Sequence, residues 1–196
     1  MTDSIPTSAQ GVLGAGIAFE GMLPLSWHAA VPVDGLRQRA AQVANEELLR
    51  ILSVLEERPQ ELADEHPAVA QELRRLDSKL DLVLDLVGRV LAHQEPPPPA
   101  VAVRLHARDL EWIDARAPAA GSRIHVSVYL CLRVPRPLEL SGRVRSVQPA
   151  TNGFRTVVDI DDPGDAVADL LEKIIFVHHR RTVAQSRRGA GRDEAR

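Results

Sequence analysis

The stretch LVGRVLAHQEPPPPAVAVRL, residues 86–105, holds the point at which the hydrophobic pattern of this chain changes period. Before Pro96-Pro97-Pro98-Pro99 the apolar residues recur every three or four positions, and after it they alternate. A period near 3.5 is that of a helix and a period of two is that of a strand. Four consecutive prolines cannot continue a helix and favour a stiff polyproline II spacer. The chain is therefore read as α+β, with helices before the spacer and a small antiparallel β-barrel after it.

Working backward, Val69, Leu73, Leu76, Leu80, Val83, Val87 and Val90 are spaced 4, 3, 4, 3, 4, 3. This is an unbroken heptad seam, with Leu73, Leu80 and Val87 at a and the others at d. Its flanks carry Glu72, Asp77 and Lys79 early and Leu84, Leu86 and Leu91 late, so the second half is apolar over most of its circumference. Such a helix must be covered on several sides. An intrachain hairpin packed on the barrel would do this. Self-association of three or four copies would do it as well, and Leu at a with β-branched residues at d favours more than two strands. The reading adopted is a coiled-coil homo-oligomer, a tetramer. The helix is expected from about His66-Pro67 to His93. An earlier one is expected from near Asp34 to Arg58, with Ala41, Ala44, Leu48, Ile51 and Leu55 as its apolar face.

Working forward, Val101–Leu105, Leu110–Ile113, Arg123–Leu132, Leu138–Val147 and Phe154–Ile160 read as strands, and Thr151-Asn152-Gly153 is a strong hairpin signal. Five or six short strands suggest a small barrel. A closing helix is expected after Asp161-Asp162-Pro163, with Val167, Leu170, Leu171, Ile174 and Ile175 on its apolar face. The expected organisation is 1–34 as an N-terminal segment, partly disordered and mobile over its first ten or so residues. Then come 35–93 as the helical oligomerisation region, 94–100 as the Pro-rich linker, 101–184 as the barrel with its closing helix, and 185–196 as a disordered tail. Within the first segment, Phe19, Met22, Leu23, Leu25 and Trp27 suggest a short strand or docking segment.

Composition narrows the function. Of 196 residues 44% are apolar and 26% charged, with net charge −3, which suits a packed core and argues against nucleic-acid binding by bulk electrostatics. A single cysteine, Cys131, excludes an intrachain disulfide and a cysteine-rich zinc site. It is expected mid-strand as a buried, inert thiol. No run approaches the ~20 apolar residues of a membrane span, and no targeting segment is evident, so a cytoplasmic protein without membrane insertion is expected. His178 and His179 are adjacent on a helix, diverge by ~100°, and cannot share a metal ion. Asp159, Asp161 and Asp162 are read as helix capping. No cofactor, metal or catalytic residue is expected, so the chain is not read as an enzyme.

Three stretches taken together resemble a known family. They are Glu72 to Leu86 (ELRRLDSKLDLVLDL), the strand set from Val101 to Ile160, and Leu171 to Arg181 (LEKIIFVHHRR). The combination is similar to the atypical PilZ family of xanthomonads and related proteobacteria. There a heptad helix precedes a PilZ barrel and a helix with a His-His-Arg-Arg run closes it. The resemblance implies a role in cyclic di-GMP signalling and a partner among signalling proteins of motility or virulence control. The usual PilZ grip on cyclic di-GMP is an Arg-x-x-x-Arg pair before the first barrel strand and an Asp/Asn-x-Ser-x-x-Gly turn. Here no arginine lies between Arg89 and Arg104, and the turn reads Arg104-Leu105-His106-Ala107-Arg108-Asp109, with a carboxylate where glycine is needed. Standard binding is therefore not expected. Arg104 and Arg108 remain as weak candidates for holding an anion, and a receptor with a nonstandard site is the alternative to a non-enzymatic adapter.

Overall fold

The computed structural model describes residues 17–31, 35–56, 67–94 and 96–193. The expected mobile start of the chain and the helix starts at Asp34 and His66 lie outside the described residues, as does the end of the first helix at Arg58.

Six strands close a barrel in the order β1-β2-β3-β6-β5-β4, all neighbours antiparallel. They are β1 (Phe19–Ala29), β2 (Ala100–Leu105), β3 (Asp109–Asp114), β4 (Arg123–Val128), β5 (Leu138–Ala150) and β6 (Gly153–Ile160). The helices are α1 (Gly35–Glu56), α2 (Pro67–Gln94) and α3 (Asp165–Asp193). Alternation fills the barrel: Val103, Leu105, Leu110, Trp112, Ile124, Val126, Val128, Leu138, Leu140, Val144 and Val158 are buried. Leu48, Leu49 and Leu52 of α1 and Val167, Leu171, Ile174 and Ile175 of α3 extend the same core.

Four expectations are corrected. First, the barrel does not begin at residue 101. Its first strand, β1, comes from the segment set apart as 1–34, so α1 and α2 are an insertion between two neighbouring strands. β1 was obscure because it serves two neighbours in turn. Phe19 to Pro24 pair with β2, and Leu25 to Ala29 pair with β4. Pro24, which has no N–H to offer a ladder, stands at the switch. The alternation of buried and exposed residues breaks there. Second, residues from Gln185 were read as a disordered tail, but α3 continues to Asp193. Third, β4 ends at Val128, and Cys131 is half-buried in the following turn, where its carbonyl accepts the N–H of Val134. Fourth, of the three aspartates only Asp162 bonds a helix-entry amide, that of Gly164 at 2.9 Å. Asp159 and Asp161 pair with Arg145 and Arg123 across the sheet.

The inward face of α1 is also shifted from expectation. Asn45, Leu48, Leu49 and Leu52 are buried, whereas Ile51 and Leu55 are exposed. Asn45 explains the shift. At its start β5 has no ladder partner on the β6 side, because pairing with β6 begins at Gly142. The Asn45 amide fills the gap: its Nδ2 donates to the Glu139 carbonyl at 2.7 Å and its Oδ1 accepts the Glu139 N–H at 2.9 Å. One side chain thus satisfies both backbone groups of an otherwise open strand edge.

Candidate functional site

The first candidate is α2. Pro67 suits a first helical turn, the body is rich in Leu, and Glu72–Arg75 and Asp85–Arg89 pair along it. All seven seam residues, Val69, Leu73, Leu76, Leu80, Val83, Val87 and Val90, lie between 37% and 61% exposed. Among the described residues α1 packs on α3 and β5, and α3 on β1, but no element packs along α2. An intrachain hairpin therefore does not cover the seam. The barrel touches α2 on another face. Arg133 Nη1 pairs with Asp81 Oδ1 at 2.6 Å, and Gly88 lies so near the backbone that an added Cβ would stand 3.1 Å from the Leu132 carbonyl oxygen. Asp81 and Gly88 are both b positions, well away from the a/d seam.

The second candidate is the β2–β3 turn. The His106 N–H donates to the Asp109 carbonyl at 2.8 Å, and the Arg108 carbonyl accepts the Ile160 N–H at 3.0 Å. Arg104 Nε is engaged by Glu20 of β1 at 2.8 Å, and the Arg108 side chain stands exposed in the turn. Asp109, at the position where the family pattern has glycine, faces Arg145 at 3.7 Å. Arg145 is shared with Asp159, whose hydrogen bond chiefly raises the guanidinium pKa further.

A third feature was not anticipated from the sequence. A cleft of about 450 Å³ lies between α1 and the β4–β5 face, lined by Gln42, Asn45, Arg123, His125, Glu139 and Ser141 among others. His125 Nε2 donates to Glu139 Oε2 at 2.6 Å, Ser127 donates to the same oxygen at 2.9 Å, and His125 Nδ1 meets Ser141 Oγ at 3.0 Å. His28 lies against His125 with ring centroids 5.1 Å apart. Burial pushes the Glu139 carboxyl up. The hydrogen bonds from His125 and Ser127 and the charges of His125 and His28 outweigh it and hold the group below its ordinary value. A depressed carboxylate contributes stability that is complete above its unfolded pKa of about 4.3 and is lost as pH falls through the lower folded value. Acid unfolding followed by circular dichroism should therefore be steeper between about pH 5 and about pH 3 for the wild type than for Glu139→Gln. Equal slopes would show that the pair contributes nothing.

At the far end, His178 stacks on Phe19 at 3.7 Å and its Nε2 lies 3.2 Å from the Glu20 carbonyl oxygen, so it closes α3 onto β1. Among the described residues no cluster could hold a metal ion, and no helix is long and apolar enough to cross a membrane.

Comparison with known proteins places this arrangement. No curated protein matches the chain. A solved structure from Xanthomonas campestris matches over 88% of this chain and 93% of its own, with TM-score 0.62 and 22% identity. It is described as a pathogenic protein and a tetrameric PilZ domain self-assembled via an unusual helical bundle. At that identity the likeness is one of fold. The model of the atypical PilZ domain, cyclic di-GMP receptor, matches residues 49–188, from within α1 through most of α3. With its six-stranded barrel, heptad helix and closing helix, the chain belongs to the atypical PilZ domain family.

Proposed function

We propose that this protein is a non-enzymatic, cytoplasmic signalling adapter, tetrameric through α2, that presents its barrels to a protein partner in cyclic di-GMP-related control of motility or virulence. The observation that carries the reading is the exposed seven-residue seam, along which no other element packs among the described residues. The tetrameric, same-fold protein from Xanthomonas campestris supports it. So does the position of the barrel contact on the b face, which leaves the seam clear; in a bundle built on that seam the barrels would stand outside. Four displayed barrels would raise avidity for a multivalent partner by effective concentration. Light scattering of the full chain is expected to give four times the chain mass, and a monomer overturns the reading.

Cyclic di-GMP is not gripped in the usual way under this reading. The arginine pair is absent, Arg104 is engaged by Glu20, and Asp109 puts a carboxylate where an anionic ligand would approach. Titration calorimetry with cyclic di-GMP is expected to give no saturable heat at micromolar concentrations. The alternative is a receptor with a nonstandard site, and the cleft beside Arg123 and His125 is the observation in its favour. Micromolar binding that Arg123→Ala abolishes and Arg108→Ala leaves intact would establish that alternative.

A further inference from the structure

Two surfaces beside the seam have no occupant among the described residues. On one flank of α2, a groove of about 570 Å³ runs between the helix and the turn after β4, with Gly88, Leu91, Pro97, Leu132 and Pro135 as apolar wall and Asp85, Arg89 and Arg133 as its charged part. Leu132 is 60% exposed there. On the other flank Leu82 and Leu86, at positions c and g, are 59% and 53% exposed. Neither leucine belongs to the a/d seam, so the seam alone does not account for them.

Helix geometry brings the two surfaces together. At ~100° per residue, e lies on one side of the seam with b beyond it, and g lies on the other side with c beyond it. In parallel, in-register helices the e flank of one copy faces the g flank of the next. Leu86 of a neighbouring copy then meets Leu91, and Leu82 of that copy meets whatever stands on the b face. That face carries the barrel turn: Arg133 is on Asp81 and the Leu132 carbonyl is on Gly88, so the turn spans helix levels 81 to 88. Leu82 and Leu86 lie at the same levels. Parallel packing also sets the broad apolar halves of the helices against one another. An antiparallel pair would instead place Leu84 and Leu91 opposite the half flanked by Glu72, Asp77 and Lys79.

We infer that the groove between α2 and the 129–135 turn receives Leu82 and Leu86 of a second, parallel copy of this chain. Each barrel is then clamped between its own helix and its neighbour's, and the groove is complete only in the assembly. This rests on the reading that α2 self-associates.

The test uses full-length chains carrying Cys131→Ser. A tagged chain with Leu82→Cys is mixed, after unfolding and refolding together, with an untagged chain carrying Leu132→Cys, and oxidised. Because each chain has one thiol, a disulfide between tagged and untagged species joins position 82 of one copy to position 132 of another. That mixed species is expected as the main product. A parallel sample with Leu80→Cys in the seam reports assembly independently. Seam cross-links without the mixed 82–132 species would overturn the docking and leave the assembly standing. Absence of both would overturn the two together.

Discussion

Leu80→Asp is expected to turn the proposed tetramer into a folded monomer. Leu80 is the central a residue of the seam and is 61% exposed in the single chain, so the substitution removes nothing from the barrel core. In the proposed assembly each Leu80 would contribute about 1.5–3 kcal/mol of burial. The aspartate adds a desolvation cost on the order of several kcal/mol per ion, repeated in every copy around one axis. Association should weaken at least about a thousandfold, equivalent to about 4 kcal/mol. Light scattering should report the mass of one chain, while circular dichroism retains the wild-type spectrum. An unchanged fourfold mass would remove α2 as the assembly element. Val54→Asp is the control. Val54 is an exposed apolar residue of α1 outside the seam, and its substitution should leave the mass unchanged.

Asn45→Ala is expected to be strongly destabilising. Asn45 is 4% exposed, and truncation strands the N–H and C=O of Glu139 together. Each orphaned group costs about 1–3 kcal/mol, so about 2–6 kcal/mol in all. For a chain of this size that lowers the melting temperature by roughly 4–24 °C. Asn45→Asp keeps the acceptor for the N–H but turns a carboxylate toward the carbonyl, and it should not restore stability. A thermal shift under about 2 °C for Asn45→Ala would mean that the β5 edge is served by something other than α1.

What could be read in advance followed from the range of the interactions involved. The seam was legible because seven residues repeat one spacing, and that regularity is local. The strands from Leu110 to Ile160 were legible for the same reason, and the combination of helix, strands and closing helix carried the family resemblance. β1 was not legible as barrel, because its role depends on two neighbours about eighty and about a hundred residues away and its alternation breaks at Pro24. Arg104 could not be judged from its surroundings in sequence either. Its ionic partner, Glu20, sits on that same strand. Asn45 looked like an ordinary helix residue, since the backbone groups that it satisfies lie 94 positions onward. The cleft had no local signature, being assembled from α1, β4, β5 and the entry to α3.

The insertion of α1 and α2 between paired strands fixes an order of events during synthesis. Residues 30–99 lie between β1 and β2, and closing a loop of that length costs about 4 kcal/mol of chain entropy beyond the constant term. β1 emerges from the ribosome first, yet its hydrogen-bonding edges wait until both helices and then β2 have followed. In that interval α2 is already free to meet the same helix on a neighbouring nascent chain. On the proposed assembly through α2, subunit pairing would thus precede barrel closure.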